Sequence, residues 1–114
     1  MRKLLVPVVL VVAGGLPALF AASAPSATRV KVGDNYFVRP SGVPTVTVSQ
    51  GTRVKWAWTG KNLHNVKAIS GPALFGSSSM KSGFYTKRMR KRGTYTIICT
   101  VHGAGDQKMK LVVN

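Results

Sequence analysis

Glutamate is absent from all 114 residues, and the only acids are Asp34 and Asp106, against 17 lysines and arginines. The resulting net charge of +15 points the molecule toward anionic partners and surfaces. Cysteine occurs once, as Cys99, which excludes an internal disulfide. An intermolecular bridge, a free thiol or a metal thiolate remains. Histidine occurs only at His64 and His102. Long amphipathic helical stripes, internal repeats and a second domain's worth of chain are all missing. So are the Met-rich or His-rich tracts used by proteins that pass metal from hand to hand.

The N-terminus is built differently from the rest. Met1-Arg2-Lys3 is followed by the apolar run Leu4-Leu5-Val6-Pro7-Val8-Val9-Leu10-Val11-Val12 and then by small residues through Ala27. That is the construction of a secretory signal peptide, and residues 1–27 are expected to be one. The cut site is left open, because Pro25 follows an otherwise suitable Ala22-Ser23-Ala24. Residues Leu4 to Ala24 would also just span a bilayer as an uncleaved anchor. No cysteine closes the apolar run, so a lipid-anchored lipoprotein is excluded. The expected location is outside the cytosol: extracellular, periplasmic or on the outer face of a membrane. Loss of Arg2 and Lys3 would take the net charge from +15 to +13. Residues 28–114, about 90 in number, suffice for one domain.

Within that domain the apolar residues alternate. Val30 and Val32 flank Lys31; Val46 and Val48 flank Thr47; Val54, Trp56 and Trp58 share one parity and Arg53 and Lys55 the other. Met109, Leu111 and Val113 alternate with Lys108 and Lys110 near the end. Period two marks strands with one buried and one wet face. Turn formers separate them at Pro40-Ser41-Gly42, Gln50-Gly51, Thr59-Gly60-Lys61-Asn62, Gly71-Pro72, Lys81-Ser82-Gly83 and Arg92-Gly93. Short strands at this spacing predict an all-β sandwich of about seven or eight strands. Residues 70–82 read as loop or a short helical turn. Trp56, Trp58, Phe84 and Tyr95 are expected in the core rather than along an electron path.

Cys99 ends the apolar segment Tyr95-Thr96-Ile97-Ile98-Cys99, three residues before His102. Tyr95, Ile97 and Cys99 share a parity, so the thiol points into the sandwich and the imidazole follows as the chain turns. His64 would come from another loop at the same end. Two imidazoles and one thiolate with a weak axial donor make a blue-copper site, although the same trio can also hold zinc. Taken singly, each has an ordinary explanation: a buried structural thiol or a surface imidazole. Together, with no spare His or Cys in the chain, they predict a metal site.

The segment Gly93-Thr94-Tyr95-Thr96-Ile97-Ile98-Cys99-Thr100-Val101-His102-Gly103-Ala104-Gly105, closing on Leu111-Val112-Val113-Asn114, resembles the plastocyanin branch of the cupredoxins. Leu63-His64-Asn65-Val66 is similar to that family's upstream ligand motif. The resemblance spans Arg29 to Asn114 and implies a Greek-key β-sandwich holding one type 1 copper, with His64, Cys99 and His102 as ligands. It also implies that Asn65 ties the two ligand loops together near the thiolate. The departure is axial: where plastocyanins place methionine, five residues after the second histidine, this chain has Gln107. Stellacyanin-type phytocyanins use an axial glutamine. The rival is Met109, seven residues past His102 and better suited to the core of the last strand.

These readings lead to an exported, monomeric one-electron carrier, not an enzyme, with His102 as the exit to solvent. No histidine is left for a second copper centre to act on substrate. The alternatives are a copper carrier or scavenger without a relay role, and a basic module for anionic surfaces. The densest cationic run, Lys87-Arg88-Met89-Arg90-Lys91-Arg92, suits acidic or membrane-associated redox proteins, anionic lipid or wall polymers. Read blandly, it is a solvated face. Nucleic acid, which an exported chain rarely meets, is not expected.

Overall fold

The computed structural model describes residues 26–114. The expected signal segment 1–27, apart from its last two positions, lies outside the described residues. Eight strands follow in order: β1 (Ala27–Gly33), β2 (Tyr36–Phe37), β3 (Thr45–Val48), β4 (Arg53–Trp58), β5 (Lys67–Ser70), β6 (Phe84–Arg88), β7 (Gly93–Ile98) and β8 (Lys108–Val113). They form two four-stranded sheets, in the orders β3-β8-β7-β5 and β2-β1-β4-β6. Each sheet mixes one parallel pair, β3 with β8 and β1 with β4, with antiparallel neighbours. The all-β sandwich is therefore the observed fold, with no helix among the described residues.

Period-two patterning explains which side chains meet between the sheets. Val54 and Trp56 from β4 face Tyr95 and Ile97 from β7 and Met109 and Leu111 from β8, all at most 1% exposed. Truncating one of the large members, such as Trp56, costs about 3–5 kcal/mol in a core of this kind. Ser70 closes β5, and residues 71–82 are irregular loop with no helical turn; they are not idle. Phe75 from this loop packs on Trp56, Tyr85 and Tyr95.

Phe84 departs from expectation, being 59% exposed. The register gives the reason. Trp56 pairs with Tyr85 across β4 and β6, so Tyr85 shares the inward face, and Phe84, opposite Ala57, is turned outward. There the Lys55 ammonium lies 4.2 Å from its ring centroid, a contact worth about 0.5–1 kcal/mol at an exposed site.

The strand directions set two opposite ends. Strand β7 starts at the turn carrying Arg90, Lys91 and Arg92 and finishes next to Cys99. Six extended residues span about 20 Å, so the exposed cations and the thiol lie at opposite poles of the sandwich.

Candidate metal centre

Two loops converge where β7 ends. The β4–β5 loop supplies His64, and the β7–β8 loop supplies Cys99 and His102. The His64 backbone is fixed on both sides, its N–H donating to Met80 O at 2.9 Å and its carbonyl accepting from Met80 N at 2.8 Å. The Trp58 indole N–H adds a third bond to the His64 carbonyl at 3.3 Å. Cys99 donates its N–H to Gln107 O at 3.1 Å, which closes the loop, and Gly103, with φ of 84°, takes the bend.

The side chains then meet. One ligand atom from each of His64, Cys99 and His102 lies within 4.8 Å of the others. Cys99 Sγ is 4.0 Å from His64 Nδ1 and 3.5 Å from His102 Nδ1. The two imidazole centroids stand 4.8 Å apart. Cys99 and His64 are fully buried, whereas His102 is partly open to solvent. Two nitrogens and a sulfur converging from fixed loops suit a soft or borderline metal ion.

Asn65 bridges the two loops. Its Oδ1 accepts from Thr100 N at 2.7 Å, its Nδ2 donates to Thr100 Oγ1 at 2.8 Å, and its N–H points at Cys99 Sγ from 3.5 Å. The two ligand loops are thus tied by side-chain bonds beside the sulfur. Replacing Asn65 with Ala should loosen metal binding by about 10–100-fold, with the sandwich still folded. Competition against a chelator, alongside a thermal melt, checks this; a melt that collapses while metal binding is unchanged would contradict it.

Gln107 lies opposite Cys99, one rung beyond the Lys108–Ile98 pair. Residues opposed in this way project to the same face. Its Nε2 donates to Gly33 O at 3.2 Å and Tyr36 O at 3.0 Å, which fixes the amide plane. Its Oε1 is buried with no hydrogen-bond partner, and leaving a buried oxygen unsatisfied costs about 1–3 kcal/mol. An oxygen donor of this kind, on the residue opposite Cys99, fits a metal ion bound at the sulfur. Met109 sits one inward rung deeper, opposite Ile97, within the apolar core. Asp106 is an exposed loop acid.

Asp34 belongs to the site although sequence reasoning gave it no role. It lies in the tight turn between β1 and β2, and its Oδ1 is 2.9 Å from His64 Nε2. The amides of Lys61 and Asn62 donate to the same carboxylate at 2.9–3.1 Å. The His64 hydrogen bond first, then the Asn62 and Lys61 amides, hold its carboxyl down at about 2. The only available signal was rarity, one of two acids in a strongly basic chain. Its partner lies 30 residues away, and no local pattern reveals that.

The donor set of thiolate, two imidazoles and an orphaned amide oxygen fits one type 1 copper. Solved structures support the same conclusion. A Cu(I) form of a methionine-to-glutamine variant of amicyanin superposes with a TM-score of 0.64 at 28% identity, over 82% of this chain and 88% of that one. A reduced tryptophan-to-tyrosine variant of amicyanin gives 0.65 at 26% identity, over the same shares of the two chains. An oxidised methionine-to-lysine variant gives 0.64 at 26%, covering 82% and 89%. No family model matches the chain, and no curated protein does.

Proposed function

We infer that this chain, which is a cupredoxin, carries single electrons between redox partners; His64, Cys99 and His102 would hold its copper, and Gln107 would supply a fourth, weaker donor. The observation that carries this reading is the convergence of the three ligand atoms within 4.8 Å at one end of the sandwich, together with a buried, unpartnered oxygen on Gln107, the residue opposite Cys99. Type 1 copper supplies a one-electron couple. The protein's part is to hold the donors still, which keeps reorganisation between oxidation states small. Cys99 and His64 exclude water by burial. His102, on the loop and partly open to solvent, is the side chain through which a partner would couple, next in sequence to the exposed Val101.

Firm anchoring also argues against a scavenger. A site whose loops are bonded to each other through Asn65, Met80 and Trp58 is made to retain its metal. Reversible voltammetry with slow copper transfer to a chelator is the expected behaviour. Sluggish electron exchange with rapid release would favour the copper-carrier reading instead.

The partners proposed are acidic or membrane-associated redox proteins. The exposed cations Arg90, Lys91 and Arg92 lie at the pole away from His102, so an anionic lipid or wall polymer held there would leave the electron exit free. Export, with residues 1–27 as signal or anchor and 28–114 as a monomeric working domain, completes the reading and rests on sequence alone.

A further inference from the structure

The turn between β1 and β2 touches the site twice. Gly33 and Tyr36, paired across the turn, accept the two hydrogen bonds from the Gln107 amide. Asp34, between them, meets the buried edge of His64. An ionised carboxylate only accepts hydrogen bonds, so the proton of the neutral imidazole must sit on Nε2. The Nδ1 lone pair is then left facing Cys99. That tautomer is the one a ligand at Nδ1 needs.

The carboxylate is itself held rigidly. Its Oδ1 takes bonds from Lys61 N, Asn62 N and His64 Nε2 together. The approach of the 60–62 segment depends on Gly60, where an added Cβ would run into the Asp34 carboxylate. His64 is fully buried, and the Asp34 side chain is 36% exposed, so one end of the pair sits in a low-dielectric environment. The two acids of the chain are thus used differently: Asp106 faces solvent, and Asp34 faces a ligand.

We propose that Asp34 is a positioning residue for the copper centre: its carboxylate fixes the Nε2–H tautomer of His64, strengthens that imidazole as a donor and thereby holds the reduction potential down. This rests on the ligand assignment above. A negative charge one hydrogen bond from a ligand favours Cu(II) over Cu(I), and an oriented, more basic imidazole releases metal more slowly. Asparagine at this position would keep an oxygen acceptor and remove the charge; alanine would remove both.

The test compares wild type, Asp34→Asn, Asp34→Ala and Gly60→Ala in three measurements. These are the midpoint potential of the copper-loaded protein, the rate of copper transfer to a chelator, and the ring-nitrogen NMR shifts of His64 in the metal-free protein. The potential should rise in Asp34→Asn with the visible band retained. Copper release should accelerate about tenfold or more in Asp34→Ala, and Gly60→Ala, which displaces the carboxylate without deleting it, should fall between wild type and Asp34→Ala. In the metal-free wild type, His64 should be protonated at Nε2, and Asp34→Ala should lose that preference. A wild type with its band intact and a potential unmoved by Asp34→Asn overturns the proposal, as does a His64 tautomer indifferent to Asp34→Ala. A colourless copper-loaded wild type whose His64 tautomer still follows Asp34 would overturn the blue-copper reading and leave the positioning role standing. Should Asp34→Ala fail to fold, Asp34→Asn and Gly60→Ala decide the matter.

Discussion

Replacing Cys99 with Ser is expected to abolish the intense visible absorption of the copper-loaded protein while the sandwich stays folded. The band is charge transfer from a thiolate, and this chain has one thiol, fully buried at the end of β7. Three groups surround it: Asn65 N–H and His102 Nδ1 at 3.5 Å and His64 Nδ1 at 4.0 Å. Serine nearly matches the shape but offers a neutral hydroxyl, a harder and weaker donor than thiolate. The buried hydroxyl finds the Asn65 amide and the two imidazoles as partners, so the cost to folding is about 1–2 kcal/mol. Absorption and circular dichroism on the same sample separate the two effects. A variant that keeps its colour would mean that the band does not arise from a thiolate, since Cys99 is the chain's one thiol.

The second large effect is expected at Gln107. Its replacement by Met should raise the reduction potential, because a thioether is a softer donor than an amide oxygen and gives up less of its preference to Cu(II). Geometry favours this position over Met109. Gln107 is directly across from Cys99 and carries a buried oxygen with nothing to accept from, whereas Met109 is one inward rung deeper, opposite Ile97 and packed in the core. The substitution also deletes the bonds to Gly33 O and Tyr36 O, so the melting temperature should fall, at about 1 kcal/mol per lost bond. A redox titration reads the first change and a melt the second. A lower melting point with an unchanged potential would assign Gln107 a purely structural role.

Much of this site was legible because strand periodicity is strict. Once Tyr95 and Ile97 are inside, Cys99 must be too, and the same parity carries Gln107 inward with Met109, Leu111 and Val113. The pairing of Asn65 with the neighbouring ligand loop followed from the resemblance and stands as two hydrogen bonds to Thr100. What escaped were facts of register and distance. Phe84 looked like core by composition, and only its pairing with Ala57 shows that it faces outward. Asp34, in the β1–β2 turn, meets His64, 30 residues away in the loop after β4, which no spacing rule encodes. The cationic run is close to the ligands in sequence, yet an extended strand carries it to the far pole. Alternation tells which side a residue faces and says little about which end of the sandwich it occupies.

The most direct measurement is the visible and EPR spectrum of the wild-type domain reconstituted with one equivalent of Cu(II). The account predicts an intense thiolate-to-copper band and the compressed copper hyperfine splitting of a type 1 centre, both lost in Cys99→Ser. A stoichiometrically loaded but colourless protein with wide hyperfine splitting would contradict it.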